Sequence, residues 1–231
     1  MSGLGGSHGH VGLAALFQLA SPMLPVGAFA YSQGIERAVE DGLIADAAGA
    51  RRWIFDALAG PMATFEAPLW IRLYRACACS DAAGFAEWNE RFLASRETFE
   101  LRAETLQMGS SLAILARDLR IDGAFSQIGK LVEPTFPAAF AAMAHALDLD
   151  ERSGLSAYLW GWLENQVAAA LKSVPLGQLA GQRLLLDAHL RLAQTAESAM
   201  TSSDDDLVSA APGLALTCAL HETQYSRLFR S

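Results

Sequence analysis

The chain has 231 residues, of which 52% are hydrophobic and 18% charged, and its 17 basic against 25 acidic residues give a formal net charge of −8. A chain of this length buries roughly 70 to 75% of its unfolded surface as one large domain or two small ones; with so few charges the remaining surface must be partly apolar, which favours an oligomer or an obligate partner. The acidic excess, without any basic block, argues against nucleic acid and anionic membrane as ligands.

Residues 1–10 are rich in Gly, Ser and His and read as a mobile tail. No charged residue occurs before Glu36. Within that uncharged stretch, VGLAALFQLA (11–20) has the length of a secretory signal core and Ala28-Phe29-Ala30 fits a small-x-small cleavage pattern, yet no Lys or Arg precedes it. Gln18, Ser21, Pro22, Pro25 and Gly27 interrupt it well short of the roughly 20 apolar residues a membrane span requires. The stretch reads as part of a soluble fold.

Helical periodicity dominates from there. Segments 46–60, 62–77, 81–94, 137–149, 156–173 and 176–200 are amphipathic, and Leu101, Thr105, Met108, Leu112, Leu115 and Leu119 share one face of a further helix starting near Glu97. Gly60-Pro61, Gly123, Glu133-Pro134, Gly154 and Val174-Pro175 separate these segments. No stretch sustains the period-two alternation of a strand. The expectation is an all-α, single-domain bundle of roughly ten helices without significant sheet. Its parts are a tail at 1–10, the helical domain at 11–201, and an acidic loop with a C-terminal segment of the same domain at 202–231. Ser202 to Asp206 (SSDDD) reads as a solvated loop, or as a cap for the helix that follows.

Catalytic signatures are missing. There is no GxxxxGK[ST] nucleotide loop; Gly177 and Gly181 stand in a looser spacing with no Lys-Ser or Lys-Thr after them. No Glu precedes a His by three residues, no HExxH occurs, and no Gly-x-Ser-x-Gly elbow is present. Cys77, Cys79 and Cys218 form no disulfide framework and suit a reducing compartment; Cys77-Ala-Cys79 and the His8-Gly-His10 pair are weak metal candidates. His145 and His189 read as hydrogen-bonded core or boundary residues. Neither a cofactor nor a metal is expected.

What stands out is polarity placed inside apolar sequence. After the rigid PMLP turn, Tyr31, Ser32, Gln33 and Glu36 bring a phenol, a hydroxyl, an amide and a carboxylate together, forming either a structural network or a contact surface for another chain. In the second case Tyr31 starts a helix anchored by Ile35 and Val39, with Gln33 and Glu36 facing outward. A rival reading is a small-ligand pocket lined by Tyr31, Gln33, Glu36 and His145.

SPMLPVGAFAYSQGIE (21–36), ETFELRAETLQMGSS (97–111), LKSVPLGQLAGQRLL (171–185) and HETQYSRLFRS (221–231), in this order, resemble the UreF family of urease accessory proteins from about Leu13 onward. Ala30 and Leu220 stand where the family often has Ser and a basic residue. The resemblance implies a non-enzymatic, cytoplasmic, all-α homodimer that binds UreD (also called UreH), recruits the GTPase UreG and modulates its GTP hydrolysis, and so helps deliver nickel to apo-urease. It directs attention to three segments as partner-binding: Tyr31, Gln33 and Glu36; Lys172 and Gln178 at the corner between two long helices; and His221, Glu222, Tyr225, Arg227, Leu228, Phe229 and Arg230. In helical register His221, Tyr225 and Leu228 share one face with Phe229 beside it, so the last segment is expected as a tail that is mobile alone and ordered by a partner. The alternatives are a plain helix-turn-helix corner and a final helix packed on the chain's own core.

Overall fold

The computed structural model describes the backbone of residues 5–231 and the side chains of 12–231. Among these residues the chain is helical and contains no strand. The helices are α1 (Gly5–Ala20), α2 (Ile35–Glu40), α3 (Ala47–Ala57), α4 (Ala67–Ala78), α5 (Ala82–Ala94), α6 (Phe99–Asp118), α7 (Asp122–Ile128), α8 (Phe136–Ala146), α9 (Glu151–Ser173), α10 (Gln178–Thr201) and α11 (Pro212–His221). Residues 1–4 of the expected tail lie outside the described residues, whereas from Gly5 the backbone is already helical.

Local chemistry places most helix starts. Asp46, Asp81, Thr98 and Asp150 each accept a hydrogen bond from a backbone amide three residues on, capping α3, α5, α6 and α9. The expected break at Gly60-Pro61 is instead a kink: a π-helical stretch, Leu58–Glu66, links α3 to α4, with only Gly60 leaving helical geometry. Gly154, expected as a separator, lies inside α9. A Cβ there would come within 2.7 Å of the Trp70 ring and 3.0 Å of Ala144, so glycine permits close packing rather than ending a helix. The acidic stretch turns back on itself, with Asp206 accepting from the Ser203 amide and hydroxyl and Asp204 pairing with Arg72. It caps its own 3-10 turn, not α11.

α8 (FPAAFAAMAHA) is apolar on nearly every face and almost wholly buried, as a helix at the centre of a bundle must be. Its first turn is held by neighbours: Asn89 accepts from the Thr135 amide and hydroxyl, both at 2.9 Å, and Thr105 accepts from the Phe136 amide at 3.0 Å. Around α8, Trp70 of α4 stacks with Tyr74 and Tyr158 and meets Phe140 edge-on, filling the larger core. A second core joins Ile35 and Ala38 of α2, Ile54 and Phe55 of α3, Leu163 and Val167 of α9 and Leu184 of α10. α9 runs through both. Phe229 completes the second core, although it lies beyond α11 in a segment without helix.

Exposed apolar side chains are numerous, as the composition requires. Phe17, Met23 and Phe29 lie on the α1 side, Leu179, Leu186 and Leu190 along the outer face of α10, and Phe99, Tyr225 and Leu228 around the C-terminal segment. No helix among the described residues is long and apolar enough to cross a membrane.

Candidate functional site

The four motifs singled out in the sequence meet at one place. Beyond α11, residues 222–231 form an irregular strap laid along α2 and α6. Glu36, in the first turn of α2, is only 8% exposed. Its carboxylate accepts hydrogen bonds from the backbone amides of Leu228 (2.6 Å) and Phe229 (3.0 Å) and lies 3.2 Å from Nε2 of His221. His221 is fully buried, and its Nδ1 lies 2.7 Å from Glu100 of α6, whose other oxygen accepts from Arg227 at 2.6 Å. Glu222 reaches back to the Glu100 amide at 3.1 Å.

The end of the strap is tied equally well. The Ser32 amide and hydroxyl both donate to the Ser231 carbonyl, at 2.8 and 2.5 Å. Ser231 Oγ donates to Glu104 at 3.0 Å, and the Arg230 amide donates to the Ala30 carbonyl at 2.8 Å. Gln33 holds the opposite side: its Nε2 donates to Glu104 at 2.7 Å while its carbonyl accepts from Trp162 (3.0 Å) and Gln166 (3.1 Å) of α9. Gln33 adopts φ of 51°, followed by Gly34 at 84°. Two successive left-handed residues turn the chain from the Ala28–Ala30 turn into α2, and the five hydrogen bonds made by Ser32 and the Gln33 side chain over-determine that strained geometry.

Burial is the main cause of the perturbed titration here. Glu104, wholly enclosed, is pushed up to about 7 by desolvation, against the opposing effect of its bonds from Gln33 and Ser231. The Tyr158 phenol, buried and bonded to Glu66, is raised well above its ordinary value, and burial drives the Cys218 thiol up to about 12. Next to Glu104 is a largely apolar cavity of about 170 Å³, walled by Val26, Phe92, Met108, Phe140 and Tyr158, with Glu66 and Arg96 paired at 3.4 Å on its rim.

Several expectations are corrected by these positions. Tyr31 does not begin a helix: it is extended, buried, and bonded through its phenol to Gln107. Glu36 faces inward rather than toward solvent, and Gln33 is half-buried within the network. The helical register expected for 221–231 ends at His221. In place of one shared face, His221 (0% exposed) and Phe229 (6%) point in while Tyr225 and Leu228 point out, and the strap is packed on its own chain instead of lying free. Glu222, Arg227 and Arg230 are exposed at its edge. The pocket lined by Tyr31, Gln33, Glu36 and His145 does not form; of these only Gln33 borders the cavity, and His145 packs against Tyr74. At the corner, Lys172 and Gln178 are exposed, and the Lys172 ammonium lies 5.4 Å over the Phe229 ring, which brings the corner to the strap.

Glu100 and Glu104 were not picked out from sequence. Their signal was available, since like charges four apart on one helix face repel unless that face meets donors. Among the described residues no group of three or more His, Cys, Asp or Glu side chains is arranged to hold a metal ion; Cys77 is buried and Cys79 exposed, while the side chains of His8 and His10 fall outside the described residues.

Fold and site together define an all-helical protein among the described residues, in which a polar network around Glu36, Glu104 and His221 holds the chain's own C-terminal segment. The UreF family profile matches residues 44–189. Proteins described as urease accessory protein UreF are similar over nearly the full length. The one from Azoarcus sp. (strain BH72) is 52% identical over 223 residues, 95% of each chain. That from Delftia acidovorans (strain DSM 14801 / SPH-1) is 52% identical over 231 residues, 95% of this chain and 97% of the relative. A third, from Dechloromonas aromatica (strain RCB), is 48% identical over 223 residues. The chain belongs to the UreF family of urease accessory proteins.

Proposed function

We propose that this protein is a non-catalytic adaptor of urease maturation in the cytoplasm: a homodimer that binds UreD (UreH) through the strap face, recruits and modulates the GTPase UreG, and so supports nickel delivery to apo-urease. The observation that carries the reading is the division of labour along the strap. Phe229, Ser231 and the amides of residues 228 and 229 serve internal anchorage, while Tyr225 and Leu228 stand outside, Leu228 lining one surface groove with the exposed Phe99. Aromatic and aliphatic anchors presented on a pre-ordered segment, with Arg227 and Arg230 at the edge, have the composition of an interaction surface whose ordering cost has already been met within the fold. The Lys172–Gln178 corner abuts this face through Phe229, and the leucines along α10 supply an apolar strip suited to the second subunit.

The test is co-purification with UreD and UreG, with and without nickel and GTP. The double variant Tyr225→Ala/Leu228→Ala should keep the wild-type melting temperature and lose UreD. Retention of UreD at wild-type levels would reject the strap face, and a protein that captures neither accessory protein would reject the adaptor reading. Lys172→Ala with Gln178→Ala should lower UreG recruitment while UreD binding persists; unaltered recruitment and unaltered mass in solution would return the corner to plain structure.

A further inference from the structure

Glycine inside a helix weakens it unless the position needs a positive φ or a close approach. Gly161, in the middle of α9, has neither: it keeps helical geometry, and a Cβ there would meet nothing within 4 Å beyond the adjoining backbone. What its missing side chain leaves is room in the cavity that it lines with Phe92, Met108, Phe136, Phe140 and Trp162. A dry apolar cavity of about 150 Å³ takes up benzene. The 170 Å³ here matches one aromatic ring with a short arm, about eight non-hydrogen atoms.

The polar part of the wall is anionic. Glu66, Glu104 and Glu164 line the cavity, and among the described lining residues Arg96 is the one cation. Arg96 is already engaged, pairing with Glu66, donating to Ser95 Oγ and lying 4.2 Å over the Phe92 ring. Glu104 has only neutral hydrogen-bond partners, the Gln33 amide and the Ser231 hydroxyl, one on each oxygen. Glu66 takes the Tyr158 phenol on one oxygen and Arg96 on the other. Every one of these four oxygens keeps a second lone pair free to accept. Burial pushes Glu104 up to about 7; Glu66 raises it further and Arg96 opposes, so the three charges lie within reach of one another. Two carboxylates sharing one guanidinium leave a negative charge in an apolar setting, and the ligand that suits such a wall brings a positive one.

We propose that this cavity is a binding site for a small aromatic amine in its ammonium form, with the ring among Phe92, Met108, Phe140 and Tyr158 and the cationic nitrogen donating to Glu66 and Glu104. The aromatic walls favour a ring, since offset and edge-on pairs add to the burial of its area. The ammonium has three donors for the free lone pairs and supplies the charge that Gln33 and Ser231 cannot. The inference concerns the free chain and stands apart from its protein partners.

The test is titration of the full-length, methyl-labelled protein with benzylamine, benzyl alcohol and benzoate, which share the ring and differ in charge. The NMR signals of the Val26 and Met108 methyl groups in the cavity wall are followed at pH 8, where Glu104 is ionised and benzylamine is an ammonium. Benzylamine should shift both signals and bind roughly tenfold or more tighter than benzyl alcohol, the factor expected of hydrogen bonds to a charged group; benzoate should leave them unmoved. Gly161→Leu fills the space from α9 and should abolish the shifts without lowering the melting temperature. Glu104→Gln should weaken benzylamine roughly tenfold while benzyl alcohol stays within about twofold. Unmoved Val26 and Met108 signals with benzylamine, equal affinity for amine and alcohol, binding that persists in Gly161→Leu, or unchanged benzylamine affinity in Glu104→Gln would each overturn the proposal.

Discussion

Replacing Glu36 by Ala tests whether the strap seat is part of the folded core. As an exposed contact residue, Glu36 could be lost with a change within about 0.5 kcal/mol. In the structure its carboxylate instead receives two backbone amides and faces a fully buried imidazole. Hydrogen bonds to a charged group contribute about 1.5–3 kcal/mol each, and a buried donor left bare loses its desolvation energy as well. The Leu228 amide lies beside an exposed side chain and can turn to water, whereas the Phe229 amide and the His221 ring are enclosed. The expected cost is about 2–4 kcal/mol, below the sum of the separate bonds because the strap can detach and rehydrate. For a chain of this size that lowers the melting temperature by about 4–15 °C. Urea unfolding by circular dichroism measures it directly, with the midpoint falling and the slope unchanged. Glu36→Gln keeps one acceptor and the shape, and should lose roughly half as much. A Glu36→Ala midpoint indistinguishable from wild type would show that the amides of 228 and 229 are not held by this carboxylate in solution, and the account of the seat would fall.

Three further outcomes follow from particular contacts. Glu104 is raised from 4.5 to about 7 by burial, so the folded state binds its proton more tightly than the unfolded state; its contribution is fullest below pH 4.5, falls as pH rises to about 7 and is constant above, a span of at most about 3 kcal/mol. Urea midpoints from pH 4.5 to 8 should therefore decline less in Glu104→Gln than in wild type, and parallel profiles would contradict the burial of this group. Gly109→Ala should destabilise despite the gain of up to about 1 kcal/mol in helix propensity, because the new methyl would run into the Pro134 carbonyl; a variant as stable as wild type would mean that α6 and the loop before α8 are further apart than described. Deleting residues 222–231 uncovers Glu36, His221 and Glu104 and removes Phe229 from the second core, so a clear loss of melting temperature is expected alongside loss of UreD; an unshifted melting curve would mark the strap as energetically idle.

The helices were legible in the sequence where their own chemistry specifies them. Periodicity placed α3, α5 and α6 within a few residues, and the all-α class followed from these and their like; the Asp and Thr caps seen in the structure are the local chemistry behind those starts. Glycine misled where its role is tertiary: nothing local distinguishes Gly154, which admits the Trp70 ring, from a helix terminator. The site was legible as a set of motifs but not as a contact. Tyr31 to Glu36 offered a structural network or an outward surface on equal terms. The choice depended on which donors arrive from residues 228 to 231, almost two hundred positions downstream, and no spacing rule carries that distance. The strap was read at a period of 3.6 because Tyr225, Leu228 and Phe229 fit one; its backbone amides were already committed to Glu36, so no helix could form there.

That separation also orders events in time. The bond from the Phe229 amide to Glu36 spans 193 residues, and at about 5–20 residues per second a ribosome needs roughly 10–40 s to make the intervening chain. Helices form in microseconds or less, so once α9 and α10 have been made the core that holds α2 can assemble while the carboxylates of Glu36 and Glu104 still face water. Closure of the strap then follows assembly of that core. In the interval between the two, the nascent molecule carries an acidic, solvent-filled groove that the closed protein does not have.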